Sequence, residues 1–324
     1  MVSRALVLLS LLGVCFAGTN SSVEDELYSA SALSDIRADD AKPFQLEIDF
    51  RLQLNTSTDG HFTLKWVAKD RWSQLVTFAD FRQLEVRKGE NLYIVRNAPL
   101  TPLRVTELVG LLNVFPAKSG QWQIKNTHRQ MLDSIAADCL KIKSRTRQHW
   151  NPDIEVCVDS ASKDVLSDDH KDDDGLRREE FADYQPFGVH RYPRRLKLSR
   201  NGSVLVNAQV VSLEATSFDE SLFAAPAGSI VRRQCENMAH PVAIRQPEPR
   251  YPTSAAQNRI GGLVIVSLTV QTDGSVSDVQ YLERAGHEMD EVTKQIVETW
   301  KFKPAMCGSE PVASDIRVEM TFHP

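Results

Sequence analysis

Between Phe44 and Leu54 the chain alternates without a break. Phe44, Leu46, Ile48, Phe50, Leu52 and Leu54 fall on one face, and Gln45, Glu47, Asp49, Arg51 and Gln53 fall on the other. A period of two over that length commits the segment to a strand with one apolar face against a core and one polar face in water. Such a strand needs neighbours, and the following residues supply them. Asp59-Gly60 reads as a hairpin turn. Strands are expected near 61–68, 71–79, 82–87 and 91–96, with turns at Asp70 and across Lys88-Gly89-Glu90-Asn91. The result is an antiparallel meander.

Thr101 to Val114 is the strongest helical stretch of this half. Thr101 suits the N-cap and Pro102 the first turn, while Leu103, Val105, Leu108, Val109, Leu111 and Leu112 form one broad apolar side. Shorter strands are expected near 134–143 and 153–158, and 164–180 reads as a polar, acidic loop. Two more strands, near 185–199 and 203–215, flank Asn201-Gly202, a strong hairpin signal. Phe218 to Phe223 closes this unit before the small-residue stretch Ala224-Ala225-Pro226-Ala227-Gly228. A curved antiparallel sheet with a helix over its apolar face follows, an arrangement that leaves room for a concave, apolar cavity.

A chain of 324 residues is natural for two domains, and a net charge of −5 gives no basic footprint for nucleic acid. Arg4, the apolar run Ala5–Ala17 and the small residues Cys15 and Ala17 form the layout of an export signal cut before Gly18. The thirteen residues of that run fall short of the ~20 needed to cross a bilayer. A lipoprotein signal at Leu12-Gly13-Val14-Cys15 is weighed against by Val14. Export makes disulfides permissible. Beyond Cys15 stand Cys139, Cys157, Cys235 and Cys307, which allow three connectivities. Pairing Cys139 with Cys157 and Cys235 with Cys307 keeps each bridge within or at the edge of one domain. Neither zinc nor thioredoxin-like chemistry is supported, since no two cysteines stand at CxxC spacing.

The last part of the chain reads as a separate unit. Pro247, Pro249 and Pro252 impose an extended entry. A short helix over 253–259 stops at Gly261-Gly262. Leu263–Gln271 is a strand, Thr272-Asp273-Gly274 a tight turn, and Val276–Arg284 the return strand. Met289–Trp300 is an amphipathic helix through Val292, Ile296, Val297 and Trp300. Alternating Ile316, Val318, Met320 and Phe322 then add a third strand. The fold class is α+β: an open half-barrel with a covering helix, followed by an αββαβ unit with a three-stranded antiparallel sheet.

This segment resembles the TonB C-terminal domain family. The resemblance rests on Pro249-Arg250-Tyr251-Pro252, Ala255-Ala256, Gly261-Gly262, Asp273-Gly274, the run Trp300-Lys301-Phe302-Lys303-Pro304-Ala305, Gly308 and Pro311-Val312, in that order. It implies a last strand at a sheet edge that accepts an extended peptide by strand addition. In the family that peptide is the TonB box of an outer-membrane transporter. Transferred to this chain, the contacts are the lead from Gln246 through Arg250, Tyr251 and Pro252, and the strand Asp315, Ile316, Arg317, Val318, Glu319, Met320, Thr321 and Phe322. Main-chain bonds would give affinity, with Arg250, Tyr251 and Arg317 giving selectivity. Residues 44–225 loosely resemble the LolA/LolB lipoprotein-carrier fold, on the tryptophan–turn–strand rhythm of WVAKDRWSQLVTFADFRQLEVRKGENLYIVRN.

The expected organisation is a signal at 1–17, a lead-in over 18–43, a half-barrel over 44–225, a linker over 226–239 and the TonB-like unit over 240–324. Force-transmitting family members keep a membrane helix and a long Pro/Lys/Glu-rich spacer. Here a folded unit occupies that interval, so the resemblance extends to partner binding rather than to force transmission. No GxSxG, HExxH or P-loop is present. The acidic run Asp168–Gly175 places His170 and Phe181 where a calcium loop needs carboxylates, and reads as a solvated loop. Two function classes remain: an exported, periplasmic partner-binding protein associated with transport, and a lipid or lipoprotein carrier that uses its C-terminal unit for docking. No cofactor is implied.

Overall fold

In a computed structural model, residues 23–54, 56–117, 120–145, 153–172 and 175–323 are described. The export signal expected at 1–17 lies outside them. The first element, α1 (Val23–Ser34), belongs to the expected lead-in and buries Leu27 and Ala30 completely. It is followed by the meander β1 (Phe44–Gln53), β2 (Ser57–Ala68), β3 (Arg71–Phe78), β4 (Phe81–Lys88) and β5 (Asn91–Arg96). After α2 (Leu103–Leu111) comes a second meander. Its strands are β6 (Trp122–Leu132), β7 (Ile135–Ser144), β8 (Asp153–Asp159), β9 (Val165–Asp172), β10 (Gly175–Phe187), β11 (His190–Arg200) and β12 (Ser203–Ala215). A 3-10 turn, Glu220–Phe223, leads to β13 (Ile230–Arg233).

These strands form one antiparallel sheet of thirteen strands, ordered β13-β5-β4-β3-β2-β1-β12-β11-β10-β9-β8-β7-β6. The long alternating strand β1 is the seam, pairing with β2 on one side and β12 on the other. Its apolar residues Phe44, Leu46, Ile48, Phe50 and Leu52 are all at most 3% exposed. Each such side chain contributes roughly 1.5–3 kcal/mol relative to exposure. Helices α1 and α2 both pack into this core, α1 against β11 and α2 against β12 and β11. The Tyr192 hydroxyl of β11 donates to the Leu112 carbonyl just past α2, at 2.9 Å, and fixes the helix to the sheet.

Four local readings change. Asp59-Gly60 is not a turn but lies inside β2, with Gly60 opposite Phe50. A Cβ at Gly60 would sit 2.5 Å from the Phe50 ring, so the glycine answers a close ring approach. Thr101 does not cap α2. Pro102 occupies the N-cap, and the Thr101 hydroxyl donates instead to Gln83 Oε1 at 2.7 Å. The acidic stretch 164–180 is not a solvated loop but contributes β9 and most of the first half of β10. Arg177 and Arg178 of β10 pair with two of its carboxylates: Arg178 grips Asp169 with its Nε at 2.7 Å, and Arg177 bonds Glu179. Finally, the expected linker 226–239 contains β13, which extends the large sheet by pairing with β5.

The C-terminal unit comprises β14 (Val242–Arg245), α3 (Thr253–Gln257), β15 (Gly262–Val270), β16 (Val276–Glu283), α4 (Met289–Val297), β17 (Lys301–Lys303), β18 (Ala305–Cys307), β19 (Glu310–Val312) and β20 (Ser314–Phe322). Its main sheet has the order β16-β15-β20. The Asp273-Gly274 turn joins β15 to β16, and Gly274 is obligatory: its φ is +78°, and a Cβ would meet the Phe302 carbonyl oxygen at 1.9 Å. Two small ribbons, β14 with β17 and β18 with β19, complete the unit. No helix among the described residues is long and apolar enough to cross a membrane.

Candidate partner-binding site

The site begins with the two faces of β20. Its register with β15 runs from Gly262 opposite Phe322 to Val270 opposite Ser314. Ile316, Val318, Met320 and Phe322 therefore share a face with Val264, Val266 and Leu268, and pack into the second core with Met289, Val297 and Trp300. Asp315, Arg317, Glu319 and Thr321 project from the other face. Half of the strand's candidate contact side chains are thus committed to holding β20 in place. Arg317 and Glu319 pair with each other at 3.0 Å on the exposed side.

Among the described residues β20 pairs only with β15, so no strand lies along its outer edge. The proline-rich lead crosses the same region. The Trp300 indole N–H donates to the Pro247 carbonyl at 3.0 Å, and the Tyr251 hydroxyl donates to the Ile260 carbonyl at 2.7 Å. The Tyr251 ring lies 5.7 Å from that of Phe322, fastening the lead to the end of β20. Pro252 is buried, whereas Gln246 and Arg250 are exposed. The structure therefore brings the lead and the strand together and separates anchoring groups (Tyr251, Pro252) from free ones (Gln246, Arg250).

Three residues absent from the sequence reading shape the site. Arg232 of β13 donates from Nε and Nη2 to the Asp315 carboxylate at 2.9 and 3.0 Å. Thr269 of β15 donates to the same carboxylate at 2.6 Å. Arg233 bonds Glu90 and Glu310, and these two partners hold its guanidinium firmly protonated. A disulfide joins Cys235, just past β13, to Cys307 of β18, while a second joins Cys139 and Cys157 across β7 and β8. The doublet Arg232-Arg233 in an otherwise small-residue stretch was the signal available for this clamp.

Residues 247–324 match the family of Gram-negative bacterial TonB protein C-terminal domains. Protein TonB of Pseudomonas aeruginosa is 35% identical over 71 residues, which is 22% of this chain and 21% of that protein. Protein TonB of Vibrio cholerae is 31% identical over 78 residues, covering 24% of this chain and 32% of that protein. The chain thus spans between about a fifth and a third of these relatives, all of it within the TonB-type unit. A LolA superfamily protein of Nitrosomonas europaea resembles 63% of this chain over 98% of its own length, at 10% identity and a TM-score of 0.42. The TonB-type unit here is clamped to a thirteen-stranded sheet through Arg232, Arg233 and the Cys235–Cys307 bridge.

Proposed function

We propose that this protein is an exported envelope protein whose TonB-type unit captures an extended segment of a partner by strand addition along β20. The observation that supports this most is the edge itself. The inner side of β20 is locked to β15 over nine residue pairs, while no strand pairs with its outer side among the described residues. An extended peptide gains main-chain hydrogen bonds there without disturbing the core. The Arg232 clamp occupies Asp315 at the start of the strand, so the peptide would lie along Ile316 to Phe322, beside Gln246 and Arg250 of the lead. By likeness to its family, the partner is the TonB-box segment of an outer-membrane transporter, and the process it serves is transport across the envelope. The half-barrel unit then acts as a fixed base that orients the recognition edge.

Titrating a synthetic transporter-box peptide into the full chain, followed by calorimetry, tests this reading. Saturable binding that a scrambled peptide fails to reproduce is expected. Equal heats from the two peptides would rule it out.

A further inference from the structure

The inner face of the large sheet is mostly apolar, and beneath α2 it carries a cluster of polar side chains. On β3 and β4 the residues turned toward the core include Gln74, Gln83 and Glu85, in register with Leu64, Val76 and Gln74 of the neighbouring strands. They line a cavity of about 160 Å³ between these strands and α2. The opposite wall is apolar, formed by Val105 and Val109, and Thr106 stands exposed at its mouth. The Glu85 carboxylate accepts one hydrogen bond from the Gln74 amide and one from the Gln83 amide, both at 2.7 Å. Thr101 in turn donates to Gln83 and fixes that amide's orientation.

This arrangement presents a carboxylate to a partly open cavity without a bonded cation. Among the described residues no Lys, Arg or His forms an ion pair with Glu85. Arg96, which acts on it through space, directs its Nε and Nη2 to the Ala98 and Pro99 carbonyls. Burial accordingly pushes the Glu85 carboxyl up, since two neutral amides do not offset the lost hydration of a charge. A group that brings a positive charge and donors into the cavity removes that penalty, whereas an anion raises it. Each carboxylate oxygen already takes one amide and keeps one lone pair for such a donor. The volume suits a small group, since a cavity of roughly 150 Å³ holds benzene.

We propose that the cavity beneath α2 is a binding site for a primary ammonium on a short alkyl chain, with Glu85 as its counter-ion and Val105 and Val109 against the chain. Such a group arises on a free alkylamine or on a lysine side chain. The site does not involve β20, so it stands or falls separately from the strand-addition reading.

Calorimetric titration of the full chain at neutral pH with n-hexylammonium, hexanol and hexanoate tests it. Hexylammonium should bind at least tenfold more tightly than hexanol, and hexanoate should not bind. Glu85→Gln, which preserves shape and keeps an acceptor oxygen for one of the two amides, should abolish the preference for ammonium over alcohol. Val109→Phe, which fills the space without touching the carboxylate, should block both ligands and serves if the first variant folds poorly. Nα-acetyl-lysine amide separates the two sources: binding equal to hexylammonium assigns the site to a lysine side chain, and binding of hexylammonium alone assigns it to a free amine. Equal affinity for hexylammonium and hexanol, or unchanged ammonium binding by Glu85→Gln, overturns the proposal, as does the absence of hexylammonium binding.

Discussion

Arg232 and Asp315 form a two-pronged ion pair, Nε and Nη2 each to one carboxylate oxygen, across 83 residues of sequence. One partner sits on the last strand added to the large sheet and the other at the start of the TonB-type edge strand. The pair therefore sets the angle at which the edge is offered. Both side chains retain water contact, so the pair is worth at most about 1 kcal/mol to folding. Arg232→Ala is expected to leave thermal stability nearly unchanged. It should nonetheless speed amide exchange at β13 and at the first residues of β20. Exchange followed by mass spectrometry checks this.

The two bridges should differ in weight. In the loop-entropy account, closing the longer loop from Cys235 to Cys307 stabilises by about 4 kcal/mol and the shorter one from Cys139 to Cys157 by about 3 kcal/mol. Replacing Cys235 and Cys307 together by serine is thus expected to lower the denaturation midpoint more than replacing Cys139 and Cys157. The larger loss should appear first in the C-terminal unit, because that bridge ties the unit to β13.

Glu85 should make stability depend on pH. Burial raises its carboxyl above the unfolded value near 4.3, so the fold prefers the neutral form. Below that value the group costs nothing, and as pH rises through the raised native value the cost of ionising it in place appears in full. Glu85→Gln is therefore expected to raise the melting temperature at pH 7 to 8 and leave it unchanged near pH 3. A melting series across that range decides the matter.

Tyr192 is 1% exposed, and its hydroxyl serves the carbonyl at the end of α2. Tyr192→Phe leaves that buried carbonyl short of a donor and is expected to cost about 1–2 kcal/mol in chemical denaturation. The ring's packing is unchanged, so the slope of the transition should be unchanged too.

Where polarity followed the fold, the elements could be read from the chain. The alternation of β1, the Asn201-Gly202 hairpin and the αββαβ rhythm all carry local signals that agree with their tertiary setting. The acidic strand β9 did not, because its Asp169 is paired with Arg178 on a neighbour that single-strand patterning cannot see. The Glu85 cavity escaped for a related reason. Apolarity alone would turn Leu84 and Val86 of β4 toward the core. The register instead turns Gln83 and Glu85 inward, while the buried Phe223 belongs to a 3-10 turn that packs on β3 and β4. On β20, the alternation of Ile316, Val318, Met320 and Phe322 identified a strand. It could not show that these side chains are used up in the core, nor that Asp315 answers to an arginine from another unit.

Arg317 offers a clean probe of the edge. It lies on the polar face and, among the described residues, forms its ion pair locally with Glu319. Arg317→Ala is expected to stay within about 0.5 kcal/mol of the parent in stability, while changing the affinity for a transporter-box peptide several-fold. Val318→Asp, on the opposite face, should instead destabilise the TonB-type unit.

The most direct test is an amide chemical-shift map of the full chain during titration with a transporter-box peptide. Perturbations concentrated at Ile316 to Phe322 and at Gln246 to Pro252 are predicted, with β16, the other edge of the same sheet, unaffected. A map with no change along β20, or with its changes on β16, contradicts the account.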